Sequence, residues 1–419
     1  MEVKTGYKQT EVGVIPEEWE VTPFVSLGSV IDGDRGTNYP ASKDFSIDGH
    51  CLFLDAGNVT KAGFRFGDCA FISREKDERL SKGKLKRDDI VLTTRGTVGN
   101  FAHFDSTVSF EHIRINSGMV ILRNESAVLD TAFLYALLQS NFVEKQIERL
   151  TFGSAQPQLT VKGINEFWIV APPLPEQRAI ATALSDVDGL LGGLDRLIAK
   201  KRDLKQAAMQ QLLTGQTRLP GFHGVWEVKR LGDVATFYKG KGLPKSALSE
   251  SGAEPCIHYG ELFTRYPETI GEIFSLTDDS SGVFRSIAND VLMPTSDVTP
   301  RGLAKASCVR VDGVILGGDI LVIRSDTSLI HGSFLSFLIR YEETQVLQLV
   351  TGSTVYHLYG SDMKNFTFSM PSLPEQTAIA EVLTEMDAEL AVLEHRREKT
   401  RALKQAMMQE LLTGRTRLV

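Results

Sequence analysis

A long internal repeat constrains this chain more than any other feature. The segment LPEQRAIA at residues 174–181 recurs as LPEQTAIA at 373–380, and LLTGQTRL at 212–219 recurs as LLTGRTRL at 411–418. Both pairs are offset by about 199 residues, and roughly 26 of about 46 aligned positions are identical, far more than chance provides. A repeat of this length predicts two structural units that share one architecture.

The repeat continues upstream in weaker form and suggests the domain limits. Trp19 and Trp226 each begin a Trp-Glu-Val triplet, and Thr5-Gly6 before the first echoes Thr214-Gly215 before the second. The N-terminal segment therefore looks like the piece that would follow the second repeat, so the two terminal segments are predicted to meet. The predicted parts are an N-terminal stub that completes a cyclic repeat (1–19), a mixed domain (20–173), a central helix (174–219), a second mixed domain (220–372) and a C-terminal helix (373–419).

Each mixed domain has the short apolar runs, separated by turn residues, that are typical of strands. Runs at 51–54, 89–92 and 119–122 predict strands, and 314–323 predicts one buried strand. Amphipathic helices are predicted at 131–150 and 334–349. The chain is therefore expected to be α+β (mixed), with two similar units.

The two copies of the repeated segment predict long helices. Pro175 and Pro374 lie in the first turn with an acid directly behind, and Gly215 and Gly414 suit a left-handed C-cap. Apolar residues step by three and four, and about 40 residues at 1.5 Å each give a rod of roughly 60 Å. This spacing favours helix packed against helix, although each helix could instead pack only on its own globular unit.

Composition excludes several classes of protein. The formal net charge is −7 and the pI is about 5.7, which argues against a protein that coats nucleic acid but allows local basic patches. The N-terminus lacks the apolar core of a secretory signal, and no run approaches the roughly 18 apolar residues of a membrane span. The four cysteines are scattered without a Cys-x-x-Cys pair. A cytoplasmic protein without a membrane segment is predicted.

No motif for catalysis or cofactor binding stands out. The segment GKGLPKS at 240–246 lacks the residue order of a phosphate-binding loop, and Pro172-Pro173 does not fit the Asn/Asp-Pro-Pro-aromatic motif of adenine methylases. Glu227-Val-Lys229 matches the tail of a nuclease motif, but no acidic partner precedes it. The eight histidines show no metal-ligand spacing. The sequence therefore predicts no catalytic residue, no cofactor and no metal.

These features together resemble one family. Two variable units each closed by Leu-Pro-Glu-Gln and a long helix, with YKQTEVGVIPEEW at 7–19, resemble the specificity (S) subunit of type I restriction–modification systems over essentially the whole chain. The resemblance implies two target recognition domains, each reading one half of a split, asymmetric double-stranded DNA site. It implies that two long antiparallel coiled-coil helices separate the domains in a pseudo-twofold arrangement and set the spacing between the half-sites.

The resemblance also implies partners. Two modification subunits would dock on the helices and methylate adenine with S-adenosylmethionine, and restriction subunits would add an ATP-driven nuclease. The chain itself would catalyse nothing. Two other classes stay open: a single-chain methylase or nuclease with the same recognition units, which a cofactor-binding assay would reveal, and a scaffold that does not bind DNA.

Candidate residues follow from the resemblance and from the side chains that contact phosphates and base edges. Candidates for DNA contact in the first domain are Asn58, Lys61, Lys84, Lys86, Arg87, Thr94, Arg95, Thr97, Ser154, Gln156 and Gln158. Those in the second domain are Lys239, Lys241, His258, Tyr259, Arg301, Lys305, Thr354, Tyr356 and His357. Candidates for helix pairing or for binding a modification subunit are Pro175, Glu176, Gln177, Ile180, Leu184, Leu191, Leu194, Leu204, Pro374, Glu375, Gln376, Ile379, Leu383, Leu390, Leu393 and Leu403.

Overall fold

The structure is a computed structural model that describes residues 5–151, 157–279 and 282–418. These residues form two compact units. Unit 1 comprises the described residues within Met1–Gly193 and Arg397–Val419, and unit 2 comprises those within Leu194–Arg396. Over the described ranges, no helix has the length and apolarity that crossing a membrane requires.

Short strands form the framework of unit 1. They are β1 (Tyr7–Thr10), β2 (Gly13–Pro16), β3 (Glu20–Pro23), β4 (Gly28–Asp32), β5 (Cys51–Leu54), β6 (Val59–Thr60), β7 (Gly63–Phe64), β8 (Phe71–Ile72), β9 (Ile90–Thr93), β10 (Phe101–His103), β11 (Ile113–Ile115), β12 (Met119–Asn124) and β13 (Trp168–Ala171). The main sheet is antiparallel with the order β10-β9-β12-β4. A second sheet has the order β11-β5-β8, with β11 and β5 parallel, and three two-stranded ribbons pair β1 with β2, β3 with β13 and β6 with β7. The strands predicted at 51–54, 89–92 and 119–122 are confirmed as β5, β9 and β12.

The helices of unit 1 are α1 (Arg74–Arg79), α2 (Thr131–Leu138), α3 (Asn141–Thr151), α4 (Val161–Asn165) and the first half of α5 (Leu174–Leu213). Residues of α2 to α5 share one apolar core with one face of the main sheet. Phe133 and Leu134 of α2 are fully buried in one apolar core with Ile180 of α5. Leu411 joins that core from the C-terminal segment. The core of unit 1 therefore needs residues from both ends of the chain.

Unit 2 repeats this plan with larger sheets. Its strands are β14 (Glu227–Arg230), β15 (Ala235–Lys239), β16 (Glu254–Ile257), β17 (Thr269–Ile270), β18 (Ser275–Thr277), β19 (Phe284–Arg285), β20 (Val291–Pro294), β21 (Ser296–Asp297), β22 (Ser307–Val309), β23 (Ile315–Leu316), β24 (Ile320–Ser325), β25 (Thr351–Gly352), β26 (Tyr356–His357) and β27 (Thr367–Met370). The main sheet has the order β15-β24-β20-β22-β17, and the second has the order β18-β16-β23-β19. A three-stranded sheet β21-β26-β25 and the ribbon of β14 with β27 complete the unit.

In unit 2, as in unit 1, helices share an apolar core with residues of both long helices. The helices of unit 2 are α6 (Leu231–Val234), α7 (Glu261–Thr264), α8 (Gly332–Tyr341), α9 (Glu343–Leu349), α10 (Gly360–Met363) and most of α11 (Leu373–Leu411), together with the second half of α5. Phe334 and Leu335 of α8 are fully buried in one core with Ile379 and Leu383 of α11 and Leu212 of α5.

Three predicted elements differ in the structure. The helix predicted at 131–150 is broken at Ser140, whose hydroxyl donates to the carbonyl of Leu137 (2.5 Å) and whose own carbonyl accepts the first amides of α3. The helix predicted at 334–349 is likewise divided at Glu342. The strand predicted at 314–323 is two strands, β23 and β24. The amide of Gly317 donates to the carbonyl of Ile257 at the end of β16, and the amide of Gly318 donates to the carbonyl of Gly242. The chain passes from the second sheet to the main sheet at these two glycines.

The long helices begin and end as predicted. α5 has 40 residues and α11 has 39, and Gly215 and Gly414, just beyond their C-terminal ends, both have a φ of 69°. Only glycine adopts this region without strain. Within unit 2 the helices run antiparallel, since Lys201 pairs with Glu389 and Lys205 with Asp387. Each helix contributes to both units, so the alternative of helices confined to their own unit is wrong.

In the C-terminal half of each long helix, one predicted pairing residue lies outside the packed side, whereas Leu212 and Leu411 further along are buried. Leu204 and Leu403 were predicted to lie in the seam, but they are 46% and 55% exposed. The next residues, Lys205 and Lys404, instead form the cross-helix ion pairs. Among the other predicted pairing residues, Ile180, Leu184, Leu194, Ile379, Leu383 and Leu390 are buried, whereas Leu191 and Leu393 are half-buried.

Candidate nucleic-acid interface

In unit 1, backbone hydrogen bonds bring three separate loops together beside the end of β9. The amide of Thr94 donates to the carbonyl of Gly118 (2.8 Å), and the amide of Leu159 donates to the carbonyl of Thr94 (3.1 Å). Arg95 and Gln158 are therefore neighbours on the surface. With its amide oxygen toward Arg95, Gln158 accepts two guanidinium hydrogen bonds at 2.9 and 3.1 Å.

An additional cation that the sequence analysis missed lies at the same edge. The guanidinium of Arg35 donates to the carbonyl of Ser117 (3.3 Å), one residue from the Gly118 carbonyl that binds Thr94. It also pairs with Asp32, and about half of its side chain is exposed. In the sequence Arg35 follows Asp32 and Asp34 and has no basic neighbour, so it was not recognised as a candidate for DNA contact.

Four predicted residues of unit 1 have side chains committed to internal contacts. Asn58 is 3% exposed and donates to the carbonyls of Arg65 and Asp68, and Thr94 is equally buried and donates to Gly118. The other two are Arg87, which donates to the carbonyls of Asp105, Val108 and Phe110, and Lys84, which pairs with the buried carboxylate of Asp77. These four side chains make contacts within the unit, although Lys84 and Arg87 are also exposed at the surface. The other exposed candidates are Lys61, Lys86, Arg95, Thr97 and Gln158. Ser154 and Gln156 lie outside the described residues.

Asp34 holds the basic loop of unit 1 against this edge. Its carboxylate, 6% exposed, accepts from the amides of Gly36 (2.7 Å), Ser81 (2.7 Å) and Lys82 (3.3 Å) and from the Ser81 hydroxyl (3.0 Å). Burial alone would raise the pKa of Asp34, but these four donors outweigh it and leave the pKa below its usual value of 3.8. The loop that carries Lys82 and Lys84 is therefore fixed by an ionised side chain.

Unit 2 has the same backbone frame, although the Thr-Arg-Gly-Thr segment of unit 1 has no counterpart there. The amide of Thr295 donates to the carbonyl of Asp319, and the amide of Leu358 donates to the carbonyl of Thr295, both at 3.0 Å. Strand β21 then pairs with β26, so Ser296 lies opposite His357 and Asp297 lies opposite Tyr356. These bonds put residues 294–297 of unit 2 at the place that residues 94–97, Thr-Arg-Gly-Thr, occupy in unit 1.

A groove of about 960 Å³ opens beside this frame in unit 2. Tyr238, Lys239, His357, Tyr359 and Lys364 are among the side chains that line it, and the rings of His357 and Tyr359 stack at 6.0 Å. Aromatic rings and ammonium groups together suit bases and phosphates. Lys239 and His357 were predicted candidates, and Tyr238 and Tyr359 lie one and two residues from them in the sequence. Lys364 was not predicted, because it is separated in sequence from the basic clusters.

The remaining candidates of unit 2 differ in accessibility. Lys241 and Thr354 are exposed, Lys305, Tyr259 and Tyr356 are half-buried, and Arg301 is 83% exposed beside Glu343 (3.0 Å). Lys239 pairs with Asp319 at 3.4 Å. Burial lowers the pKa of His258, and its neutral ring accepts the amide of Gly260 at Nδ1 (3.1 Å). The His258 side chain therefore stabilises the turn at residues 258–260.

The Leu-Pro-Glu-Gln segments form internal joints. Gln177 is fully buried: its amide nitrogen donates to the carbonyls of Val128 (2.9 Å) and Pro172 (2.7 Å), and its oxygen accepts the amide of Asp130 (2.8 Å). Gln376 makes the same three kinds of bond in unit 2, to Leu329, Pro371 and His331. Each glutamine thus ties its long helix to the strand before it and to the helix that packs on it. Pro175 and Pro374 are exposed at the helix starts.

The preceding glutamates form a second joint in each unit. Glu176, 1% exposed, accepts from both sides of the Arg417 guanidinium (2.5 and 2.8 Å) and from the indole of Trp19 (3.2 Å). Glu375 is held in the same way by Arg218 and the indole of Trp226 (3.2 Å). The arginines were not among the predicted site residues, although both lie in the repeated Thr-Arg-Leu and so carried a signal.

The terminal segments meet in unit 1. The hydroxyl of Tyr7 donates to the carbonyl of Gly414 (3.0 Å), and Arg417 pairs with Glu18 (3.0 Å) as well as with Glu176. In unit 2 the equivalent stretch, from Gly215 to Trp226, is continuous chain. The contacts between the terminal segments in unit 1 thus correspond to a continuous stretch of chain in unit 2.

Comparison with known proteins accounts for this duplicated plan. The family model for the type I restriction modification DNA specificity domain matches the chain twice, at residues 16–198 and 224–401. The type I restriction enzyme MjaVIII specificity subunit of Methanocaldococcus jannaschii is 23% identical over 96% of this chain and 94% of its own. The StySPI specificity subunit of Salmonella potsdam is 22% identical over 88% of this chain and 81% of its own. The crystal structure of a type I restriction–modification S subunit from M. genitalium superposes with a TM-score of 0.64 at 15% identity, covering 98% of both chains.

The chain belongs to the type I restriction modification DNA specificity family and carries two specificity domains. It is thus a specificity subunit, which is a non-catalytic component of a type I restriction–modification system. The fold is the predicted one: two similar mixed recognition domains and two long helices.

Proposed function

We propose that each unit reads one half of a split double-stranded DNA target, and that the whole target is asymmetric. The observation that carries this proposal is the shared backbone frame at Thr94 in unit 1 and Thr295 in unit 2, around which the side chains differ. Unit 1 presents Arg95 and Gln158 there, whereas unit 2 presents an aromatic and basic groove. Different side chains on one frame favour two different half-sites.

The long helices are proposed to bind two modification subunits, which are adenine methyltransferases, one for each half of the duplicated plan. Duplicated joints at Glu176 and Glu375 support two equivalent docking places, because the same helix start is held in the same way twice. Leu204 and Leu403 lie at repeat-equivalent positions and are both half exposed, which suits contact with an apolar partner face. Restriction subunits would complete the nuclease in the cytoplasm.

The function is tested by mapping methylated adenine. The chain and its modification partner are co-expressed in a host without adenine methylation, and N6-methyladenine is located by single-molecule sequencing. We expect one split motif with an unread spacer that vanishes when the specificity chain is omitted. Exchange of residues 20–172 for those of a relative should change one half of the motif and leave the other. Methylation at unchanged sites without this chain would contradict the proposal and favour the scaffold alternative.

The DNA-contacting residues are tested by salt dependence. Arg95→Met in the assembled complex should weaken binding, and if Arg95 contacts a phosphate, the slope of log K against log salt should fall by about one. Lys76→Met is the matched control: it removes one cation from the same unit, but from a pair with Asp44 in which both side chains are less than a quarter exposed. An equal loss of DNA affinity in both folded variants would contradict the assignment of Arg95.

A further inference from the structure

Unit 2 contains a partly buried cluster of four charged side chains from four different elements. Lys205 of α5 lies 2.5 Å from Asp387 of α11 and 3.3 Å from Glu268, in the loop before β17. Arg340 of α8 lies 3.6 Å from the same Glu268 carboxylate oxygen. All four side chains are less than a quarter exposed. The cluster therefore joins both long helices to the recognition fold of unit 2.

Neutral contacts fix the positions of the charged groups. The guanidinium of Arg340 donates to the carbonyl of Ala306 (2.8 Å), and the hydroxyl of the fully buried Ser336 donates to the carbonyl of Glu268 (2.6 Å). The ammonium of Lys205 lies 5.3 Å from the centre of the Phe337 ring. Side chains held on several sides have few alternative rotamers, so the cluster is a rigid attachment rather than a solvated ion pair.

The cluster continues the apolar attachment of the same helices. Lys205 stands seven residues from Leu212 along α5, which is about 10 Å of helix, and Asp387 follows Leu383 of the apolar core by about one helical turn. Phe337, beside Lys205, belongs to that core. The charged groups therefore lengthen the contact between unit 2 and the helix pair, and a longer contact resists rocking of the domain on the helices better than the apolar part alone.

Unit 1 has the helix-to-helix pair, but a neutral residue stands at the position of Arg340. Lys404 and Asp188 are the repeat equivalents of Lys205 and Asp387 and lie 2.7 Å apart, with 51% of the Asp188 side chain exposed. The repeat aligns Phe133 with Phe334, and so aligns Gln139 with Arg340. The position that supplies a cation in unit 2 is therefore neutral in unit 1.

The surroundings favour the ionised form of Glu268 and disfavour that of Asp387. Burial opposes ionisation of Glu268, but Arg340 and Lys205 outweigh it and lower its pKa. Burial and the neighbouring Glu268 raise the pKa of Asp387, whose second oxygen is buried without a hydrogen-bond partner. Among the described residues, Lys205 is the cation that forms an ion pair with both carboxylates, whereas Arg340 pairs with Glu268, so the arrangement depends most on Lys205.

We propose that Lys205 is a positioning residue, which through Glu268 and Asp387 fixes the second recognition domain on the helix pair and thereby restricts the spacer length between the half-sites. This inference rests on the proposed function, because it concerns the separation at which two half-sites are read. It predicts that unit 2 tolerates spacer changes less than its apolar contacts alone would allow.

The test compares spacer selectivity in the assembled methyltransferase. Once the motif of the unaltered complex is known, duplexes with the native spacer and with one base pair more or less are methylated in competition. We expect Lys205→Met to raise methylation of the altered spacers relative to the native one at least tenfold, with both half-sites still required. Lys205→Arg should restore the selectivity, since it keeps the cation. Lys404→Met, in the exposed pair of unit 1, is the matched control and should leave the ratio within twofold.

Each outcome decides a separate point. A native ratio in Lys205→Met would overturn the positioning role, and so would an equal change in Lys404→Met. If Lys205→Met fails to fold, Asp387→Asn, which keeps the side-chain size, takes its place; failure of both to fold would mean that the cluster maintains the fold and not the spacing. Absence of any split motif in the unaltered complex would instead refute the proposed function.

Discussion

Arg417→Met tests the contact by which the C-terminal segment binds Glu176 in unit 1. The substitution keeps a long flexible chain but leaves Glu176, 1% exposed, with the Trp19 indole as its remaining donor. Removing one partner of a buried pair costs about 3–5 kcal/mol. Because 24% of the Arg417 side chain is exposed, water can reach the vacated carboxylate, and we take the lower end, about 3 kcal/mol. That corresponds to roughly a hundredfold change in the unfolding equilibrium.

The assay must report on unit 1 separately, since a chain of two units need not unfold in one step. Native-state hydrogen exchange with peptide-level mass spectrometry meets this need. Amides of the β3–β13 ribbon should exchange about a hundred times faster in Arg417→Met, while those of the β14–β27 ribbon should be unchanged. Arg218→Met, which removes the partner of Glu375, should give the reverse pattern.

Two further variants define what would refute the reasoning. Arg415→Met removes an exposed pair with Glu410, at 3.6 Å and 58% exposed, and should cost less than about 1 kcal/mol. Adding Glu176→Gln to Arg417→Met should recover part of the loss, because no buried charge is then left unpaired. Exchange in Arg417→Met no faster than in Arg415→Met would show that Glu176 does not depend on the arginine.

Three more outcomes follow from contacts already described. Asp34→Asn should destabilise unit 1 by about 1–3 kcal/mol near pH 7. Because the folded pKa of Asp34 is depressed, its contribution to the free energy of unfolding is present above about pH 3.8 and is lost as the pH falls below that value. In urea titrations, the stabilities of the variant and the parent should therefore converge below about pH 3.8. Gly414→Ala should cost more than Gly215→Ala in thermal unfolding, since both have a φ of 69° but only at 414 would the new Cβ lie 2.5 Å from a proline ring; equal shifts would contradict this. Burial raises the pKa of Cys51 to about 12 and that of Cys308 to about 11, so neither thiol should react with a disulfide reagent at pH 8 in the native chain, and rapid modification of either would contradict their burial.

The features that could be predicted from sequence depend on neighbours along the chain. Pro175 and Gly215 mark the ends of α5 through the conformations of single residues, and the run at 51–54 is β5 residue for residue. The repeat transferred each of these predictions from one half to the other. It also linked Trp19 to Trp226, whose indoles occupy equivalent joints.

The features that could not be predicted depend on residues far apart in sequence. Arg417 and Glu176 are 241 positions apart, and no local pattern relates them. Leu204 was placed in the seam because apolar residues usually fill it, whereas the structure uses the aliphatic stem and charge of Lys205. Lys84 and Arg87 belong to a basic cluster that suggested DNA, but a buried carboxylate and three carbonyls engage them. Their roles were decided by tertiary packing, which composition does not report.

The division of the chain between its units also has a consequence for biosynthesis. Unit 2 lies within Leu194–Arg396, so it can close as soon as that stretch has left the ribosome. Unit 1 is translated first but still lacks Leu411, Leu412 and Arg417, which complete its core and its glutamate joint. At roughly 5–20 residues per second, its apolar face stays open for ten seconds or more while the second unit is made. The half of the protein that emerges first is therefore the half that finishes folding last.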